Sequence, residues 1–135
     1  MRSVIRIENV NFAYDNQLIL ENINFEIYEN DFVGVIGPNG GGKTTLLRLI
    51  LGFLKPLTGN IEIFNKAPEK IRRRIGYVPQ YSEIDKHFPI TVRDIVALGS
   101  LPSGSYFPWF KQEALQRAAQ AMEFVKIGNL ARKTF

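Results

Sequence analysis

The stretch Phe32-Val33-Gly34-Val35-Ile36-Gly37-Pro38-Asn39-Gly40-Gly41-Gly42-Lys43-Thr44-Thr45 decides how the rest of this chain is read. Its first five residues are an apolar run without alternation, which predicts a strand covered on both faces in the middle of a sheet. A glycine-rich turn follows, and Lys43 to about Leu51 then reads as a helix that Gly52 ends. A strand that feeds a helix through glycines turns successive backbone N–H groups inward. There they and the positive end of the helix can surround an anion without side-chain bulk.

Gly37 to Thr44 match the pattern G-x-x-x-x-G-K-[ST] in the strand-to-helix context that gives it meaning, the P-loop. Gly37, Pro38, Asn39, Gly40, Gly41 and Gly42 are expected to form the phosphate cradle. Lys43 brings a mobile ammonium to the β- and γ-phosphates of a nucleotide, Thr44 offers its hydroxyl oxygen to Mg²⁺, and Thr45 adds a phosphate contact.

Working outward, residues 4–14 and 18–28 read as two strands of an antiparallel hairpin around Asp15-Asn16. Ile23, Phe25 and Ile27 alternate with polar residues, so one face is buried. Further strands are expected at 60–64, and at Ile75-Gly76-Tyr77-Val78, where Pro79 stops pairing; a turn lies near Asn65-Lys66. Thr91 and Asp94 have the spacing of a capping box, for a helix through Leu98 closed by Gly99. A second helix over 111–125 is expected to bury Leu115, Ala118 or Ala119, Met122 and Val125.

Composition bounds the rest. The chain has 135 residues, 45% hydrophobic and 22% charged, which suits one ordinary globular domain and excludes disordered and collagen-like classes. With no Cys and one His, thiolate metal sites and thiol redox chemistry drop out. The N-terminus lacks the apolar core of a secretory signal, and no apolar run is long enough to span a bilayer. A net charge of +4 is too small to choose among anionic partners, and Arg72-Arg73-Arg74 reads as a solvated face.

These residues resemble the nucleotide-binding subunits of ABC transporters over essentially the whole chain. The resemblance rests on the N-terminal hairpin, the loop Gly37 to Thr45, Gly59-Asn60-Ile61-Glu62-Ile63 and Ile75-Gly76-Tyr77-Val78-Pro79-Gln80, in family order. It implies an α/β fold: a P-loop NTPase core, here incomplete, with an N-terminal antiparallel β segment and the start of a helical subdomain. The corresponding divisions are 1–30, 31–80 and 81–135, parts of one ATPase domain. It also implies ATP with Mg²⁺ as cofactors, Tyr14 as the aromatic that stacks on adenine, and Gln80 as the glutamine that completes the Mg²⁺ shell and approaches the attacking water. Gly41 stands where relatives often carry Ser or Ala, so Gly41→Ala should be tolerated.

The stretch Tyr81 to Gly99 is similar to the zinc/manganese/iron uptake branch of these ATPases. That likeness implies metal import through a transmembrane permease, a homodimer sandwiching two ATP molecules, and a peripheral place on the cytoplasmic face of the membrane. His87 with Asp85 and Glu83 reads as loop polars, not a metal cluster. Tyr106, Phe107, Trp109 and Phe110 form a dense aromatic group that either anchors the permease or packs on the following helix.

The 135 residues contain no Leu-Ser-Gly-Gly-Gln signature, no apolar strand ending in Asp-Glu and no later switch histidine. The chain therefore reads as an N-terminal fragment that binds nucleotide, hydrolyses it poorly, and exposes apolar sheet edges. A non-catalytic nucleotide-binding module, and a soluble ABC protein acting on nucleic acid or ribosomes, are the alternatives; the lack of a basic stripe argues against nucleic acid.

Overall fold

Ile5 and Ile7 face the core from the first strand, and beyond Asn9 that role passes from odd-numbered residues to Val10 and Phe12. The change of phase is a β-bulge. Asn9 takes φ +50°, the pairing register shifts between Ile7 and Val10, and the Asn9 N–H donates to Asn24 Oδ1 at 2.8 Å. The second strand switches in the same way at Asn22, φ +46°, whose N–H donates to Asn11 Oδ1 at 2.7 Å, so Leu20 precedes Ile23 and Phe25 on the inner face. Asparagine tolerates the left-handed conformation better than other L-residues except glycine, which explains its use at both bulges.

The computed structural model describes residues 2–80, 90–100 and 112–134, and the chain divides into two units, Met1–Val78 and Pro79–Phe135. In the first, β1 (Ser3–Tyr14) and β2 (Gln17–Tyr28) form the expected hairpin, and β3 (Thr58–Ile63) pairs antiparallel with the other edge of β1. Helix α1 (Lys43–Ile50) lies against this sheet through Leu46, Leu49 and Ile50, which join Ile7, Val10, Phe12, Leu20, Ile61 and Ile63 in one core. Burial of each large aliphatic side chain contributes about 1.5–3 kcal/mol, and this holds the start of α1 in place. Gly52, φ +69°, follows the helix as its composition predicts, and a turn with Phe64 and Asn65 at positive φ leads into the short α2 (Pro68–Ile71). Arg72–Arg74 form an exposed 3₁₀ turn.

Two expected strands do not form. Phe32 to Ile36 lie in an irregular segment, with Phe32 fully exposed and Ile36 96% exposed; Ile75 to Val78 are likewise irregular, and Val78 is exposed. A central strand exists only when neighbours accept and donate on both sides, and among the described residues no strand pairs with either segment. Their apolar composition reads correctly as strand-forming, but composition does not supply a partner.

In the second unit, α3 (Val92–Leu98) begins with the predicted capping box of Thr91 and Asp94. The N–H groups of Val92 and Arg93 donate to the carbonyls of Lys133 and Ala131, so the C-terminal turn covers donors that a helix start leaves open. Helix α4 (Gln112–Phe124) buries Ala114, Ala118 and Met122, with Leu115 half-buried. Of the pair Ala118 and Ala119 it is Ala118 that is buried; Val125 is exposed, contrary to the periodicity, because the helix stops at Phe124 and Lys126 turns to φ +61°. The segments 81–89 and 101–111, with His87 and the aromatic group, lie outside the described residues.

Candidate functional site

The site is built around the start of α1. Its N-cap, Gly42, has φ +81° and ψ 0°, a left-handed conformation that side chains resist. A β-carbon there would also stand 2.7 Å from Leu20 Cδ2 and 3.3 Å from Ile19 Cγ2, so the hairpin packs directly on the loop backbone. Gly40 is left-handed too, φ +82°, in the turn closed by the Gly41 N–H donating to the Pro38 carbonyl at 3.1 Å. Gly41 itself has no positive φ, and an added methyl would meet the Pro38 oxygen at 3.1 Å, a tight but local contact.

Lys43 Nζ donates to the carbonyl oxygens of Gly37, 2.8 Å, and Pro38, 2.6 Å. The ammonium is thereby folded back across the loop, and among the described residues no acceptor takes its third N–H. The Leu46 N–H donates to the Gly42 carbonyl at 2.8 Å, the first bond of the helix. Among the described residues no protein group accepts from the N–H groups of Lys43, Thr44 or Thr45. Three orphan donors, the helix dipole and one ammonium therefore gather at one place with no acidic side chain between residues 37 and 45.

The other expected contributors are distributed as follows. Thr44 is exposed at the same turn, whereas Thr45 is 8% exposed and faces the core with Leu46 and Leu49. Tyr14 stands at the end of β1, 41% exposed, with its ring edge-on to Phe12 at 4.9 Å between centroids. Phe12 pairs with Leu20 across the hairpin, and Leu20 lies against Gly42, so a continuous set of contacts joins Tyr14 to the loop. Gln80 is an exposed residue at the start of the second unit, and the loop belongs to the first. Among the described residues no group of three His, Cys, Asp or Glu could hold a metal ion, so a cation at this loop would depend on Thr44, water and ligand oxygens. The sequence did not signal the contact of Leu20 with Gly42, which joins residues far apart in the chain.

A family profile described as "ABC transporter" matches residues 20–135. The chain belongs to the ABC transporter family. The match covers most of the sequence, including the loop, α1, β3, α2, α3 and α4. Among curated ABC proteins, the chain is 42% identical to the zinc uptake system ATP-binding protein ZurA of Listeria monocytogenes, over 73% of this chain and 40% of that one. It is 37% identical to the manganese transport system ATP-binding protein MntB of Halalkalibacterium halodurans, over 83% of this chain and 43% of the relative. The ADP conformation of MJ1267, an ATP-binding cassette of an ABC transporter, superimposes with a TM-score of 0.80 at 25% identity, covering 99% of this chain and 58% of the other. The chain spans about half the length of the curated relatives it matches. The fold class is thus that of an ABC ATPase, an incomplete P-loop core carrying the antiparallel β segment.

Proposed function

We propose that this ABC chain carries the phosphate-gripping part of an ATP-binding subunit that drives divalent metal import, with zinc or manganese as the cargo. The observation that carries the reading is the Lys43 ammonium bridging the Gly37 and Pro38 carbonyls beside three unengaged N–H groups at the start of α1. This donor set suits the oxygens of a triphosphate. The names of ZurA and MntB support metal uptake as the transport task.

In this proposal Gly37, Pro38, Asn39, Gly40, Gly41 and Gly42 shape the cradle, Lys43 offsets phosphate charge, and Thr44 donates its hydroxyl oxygen to Mg²⁺. Thr45 supports the cradle through its backbone N–H, since its side chain faces the core. Tyr14 stacks on adenine, and Gln80 adds an oxygen to the Mg²⁺ shell. Thr44 and Gln80 would hold Mg²⁺ bound with ATP, which would supply charge to offset that of the phosphates. The working assembly has a transmembrane permease and a second ATP-binding subunit, on the cytoplasmic side of the membrane; among the described residues no helix is long and apolar enough to cross it.

Phosphoryl transfer needs a positioned water and a stabilised leaving group as well as bound phosphate. The 135 residues should therefore bind Mg-ATP and release phosphate slowly. Calorimetry with Mg-ATP and Mg-AMP, run beside a phosphate-release assay, tests this. Binding that requires the β- and γ-phosphates is expected; equal affinity for AMP, or no heat at all, would overturn the cradle.

A further inference from the structure

Asn-Gly occurs once in the chain, at Asn39-Gly40, in the middle of the loop. The bond from the Gly41 N–H to the Pro38 carbonyl makes 38–41 a four-residue turn with Asn39 and Gly40 at its central positions. Both are exposed. Among the described residues the Gly40 N–H has no backbone acceptor, and space is open around the Gly40 α-carbon. Asparagine followed by glycine lets the next backbone nitrogen reach the side-chain amide, because no β-carbon stands in the way. We propose that Asn39 is a spontaneous deamidation site, that its conversion disables the loop, and that bound nucleotide protects it.

The reaction needs only water. The Gly40 nitrogen gives its proton to hydroxide and attacks Cγ of Asn39; the N–Cγ bond forms, the Cγ–Nδ2 bond breaks and ammonia leaves with a proton from solvent. Water then opens the resulting succinimide ring. Opening at Cγ yields an aspartyl residue, and opening at the main-chain carbonyl yields an isoaspartyl residue, with the chain routed through the β-carbon. Both carry a carboxylate where a neutral amide stood.

The consequence rests on the reading of this loop as a triphosphate cradle. A fixed negative charge within a few residues of Lys43 competes for its ammonium and repels phosphate, and the isoaspartyl form lengthens the turn that aims the amides. Bound phosphate does the reverse: it holds the turn rigid and limits access of the Gly40 nitrogen to Cγ of Asn39.

The test is to age the intact chain at mildly alkaline pH, with and without Mg-ATP, mapping peptides by mass spectrometry and measuring binding stoichiometry by calorimetry. Position 39 should convert ahead of Asn16 and Asn65, which also lie in turns, conversion should slow severalfold with Mg-ATP, and stoichiometry should fall in step with it. Conversion no faster than at Asn16 or Asn65, equal rates with and without bound nucleotide, or full stoichiometry after conversion would each overturn the proposal. Two variants make it sharper: Asn39→Gln, which would need a larger ring, should show no change at position 39, and fresh Asn39→Asp should bind Mg-ATP about tenfold or more weakly. A fresh wild-type chain that binds no nucleotide refutes the cradle instead, and the peptide map still decides the chemistry of Asn39 separately.

Discussion

Leu20 Cδ2 occupies the space in which Gly42 would carry a β-carbon, 2.7 Å away. Two penalties therefore meet at one position: the left-handed backbone of Gly42, φ +81°, costs a non-glycine residue about 1–2 kcal/mol, and overpacking adds about 1–3 kcal/mol. Gly42→Ala should lower the melting temperature and nucleotide affinity together. Gly41→Ala, with only the Pro38 oxygen to displace by a few tenths of an ångström, should cost less than about 1 kcal/mol in either readout. Equal effects at the two positions would contradict the packing described.

Lys43→Ala removes a charge-assisted donor and should weaken Mg-ATP binding by about 2 kcal/mol or more. The Gly37 and Pro38 carbonyls that it leaves are exposed to water, so thermal stability should hardly change. A variant that melts like the parent and binds Mg-ATP equally well would remove Lys43 from the site.

For Tyr14→Ala, two readings separate by ligand. Loss of the edge-on contact with Phe12 costs about 0.5–1.5 kcal/mol of stability in either case. Adenine stacking adds a loss for ATP that free triphosphate does not show, so ATP should weaken more in calorimetry. Equal weakening would leave Tyr14 a packing residue.

Glu26 accepts from the Tyr28 hydroxyl at 2.8 Å and from Arg6 Nε at 2.7 Å. The Tyr28 hydrogen bond first, and then that of Arg6, hold its carboxyl below the usual glutamate range; the same Glu26 contact pushes the Tyr28 hydroxyl up. Because the folded value of Glu26 is depressed, its contribution is present above the ordinary glutamate range and disappears as pH falls through the folded value. Tyr28 runs the other way: its share is present below about pH 10 and is lost as pH rises through the raised value. An NMR titration should show the Glu26 carboxyl moving up in Tyr28→Phe. No movement would mean the hydroxyl does not hold it.

Phe32 and Ile36 expose apolar side chains that touch no core. Such a surface promotes association. The paired change Phe32→Ser with Ile36→Ser should reduce concentration-dependent light scattering and leave the melting temperature nearly unchanged. Scattering equal to that of the parent chain would place the sticky surface elsewhere.

Local chemistry was legible where neighbours in sequence settle it. The hairpin about Asp15-Asn16, the loop of glycines before α1, the stop after it at Gly52 and the Thr91–Asp94 cap all follow from residues a few positions apart. The phase reversals at Asn9 and Asn22 were not legible, because a bulge is defined by the strand opposite and an asparagine in a strand carries no mark of it. Nor was the exposure of Val125, which depends on where α4 stops.

The amino-acid order alone determined that a glycine-rich turn over residues 37–42 runs into a helix beginning at Lys43, and that an antiparallel hairpin precedes it, since turn dihedrals and helix starts are set within a few residues. Only the tertiary structure decided that Leu20 braces Gly42, that Lys43 folds onto the Gly37 and Pro38 carbonyls, and that Phe32 to Ile36 stand outside a sheet. The bracing and the unpaired segment depend on partners distant in the chain. The Lys43 contact, between near neighbours, depends on which rotamer the folded loop admits.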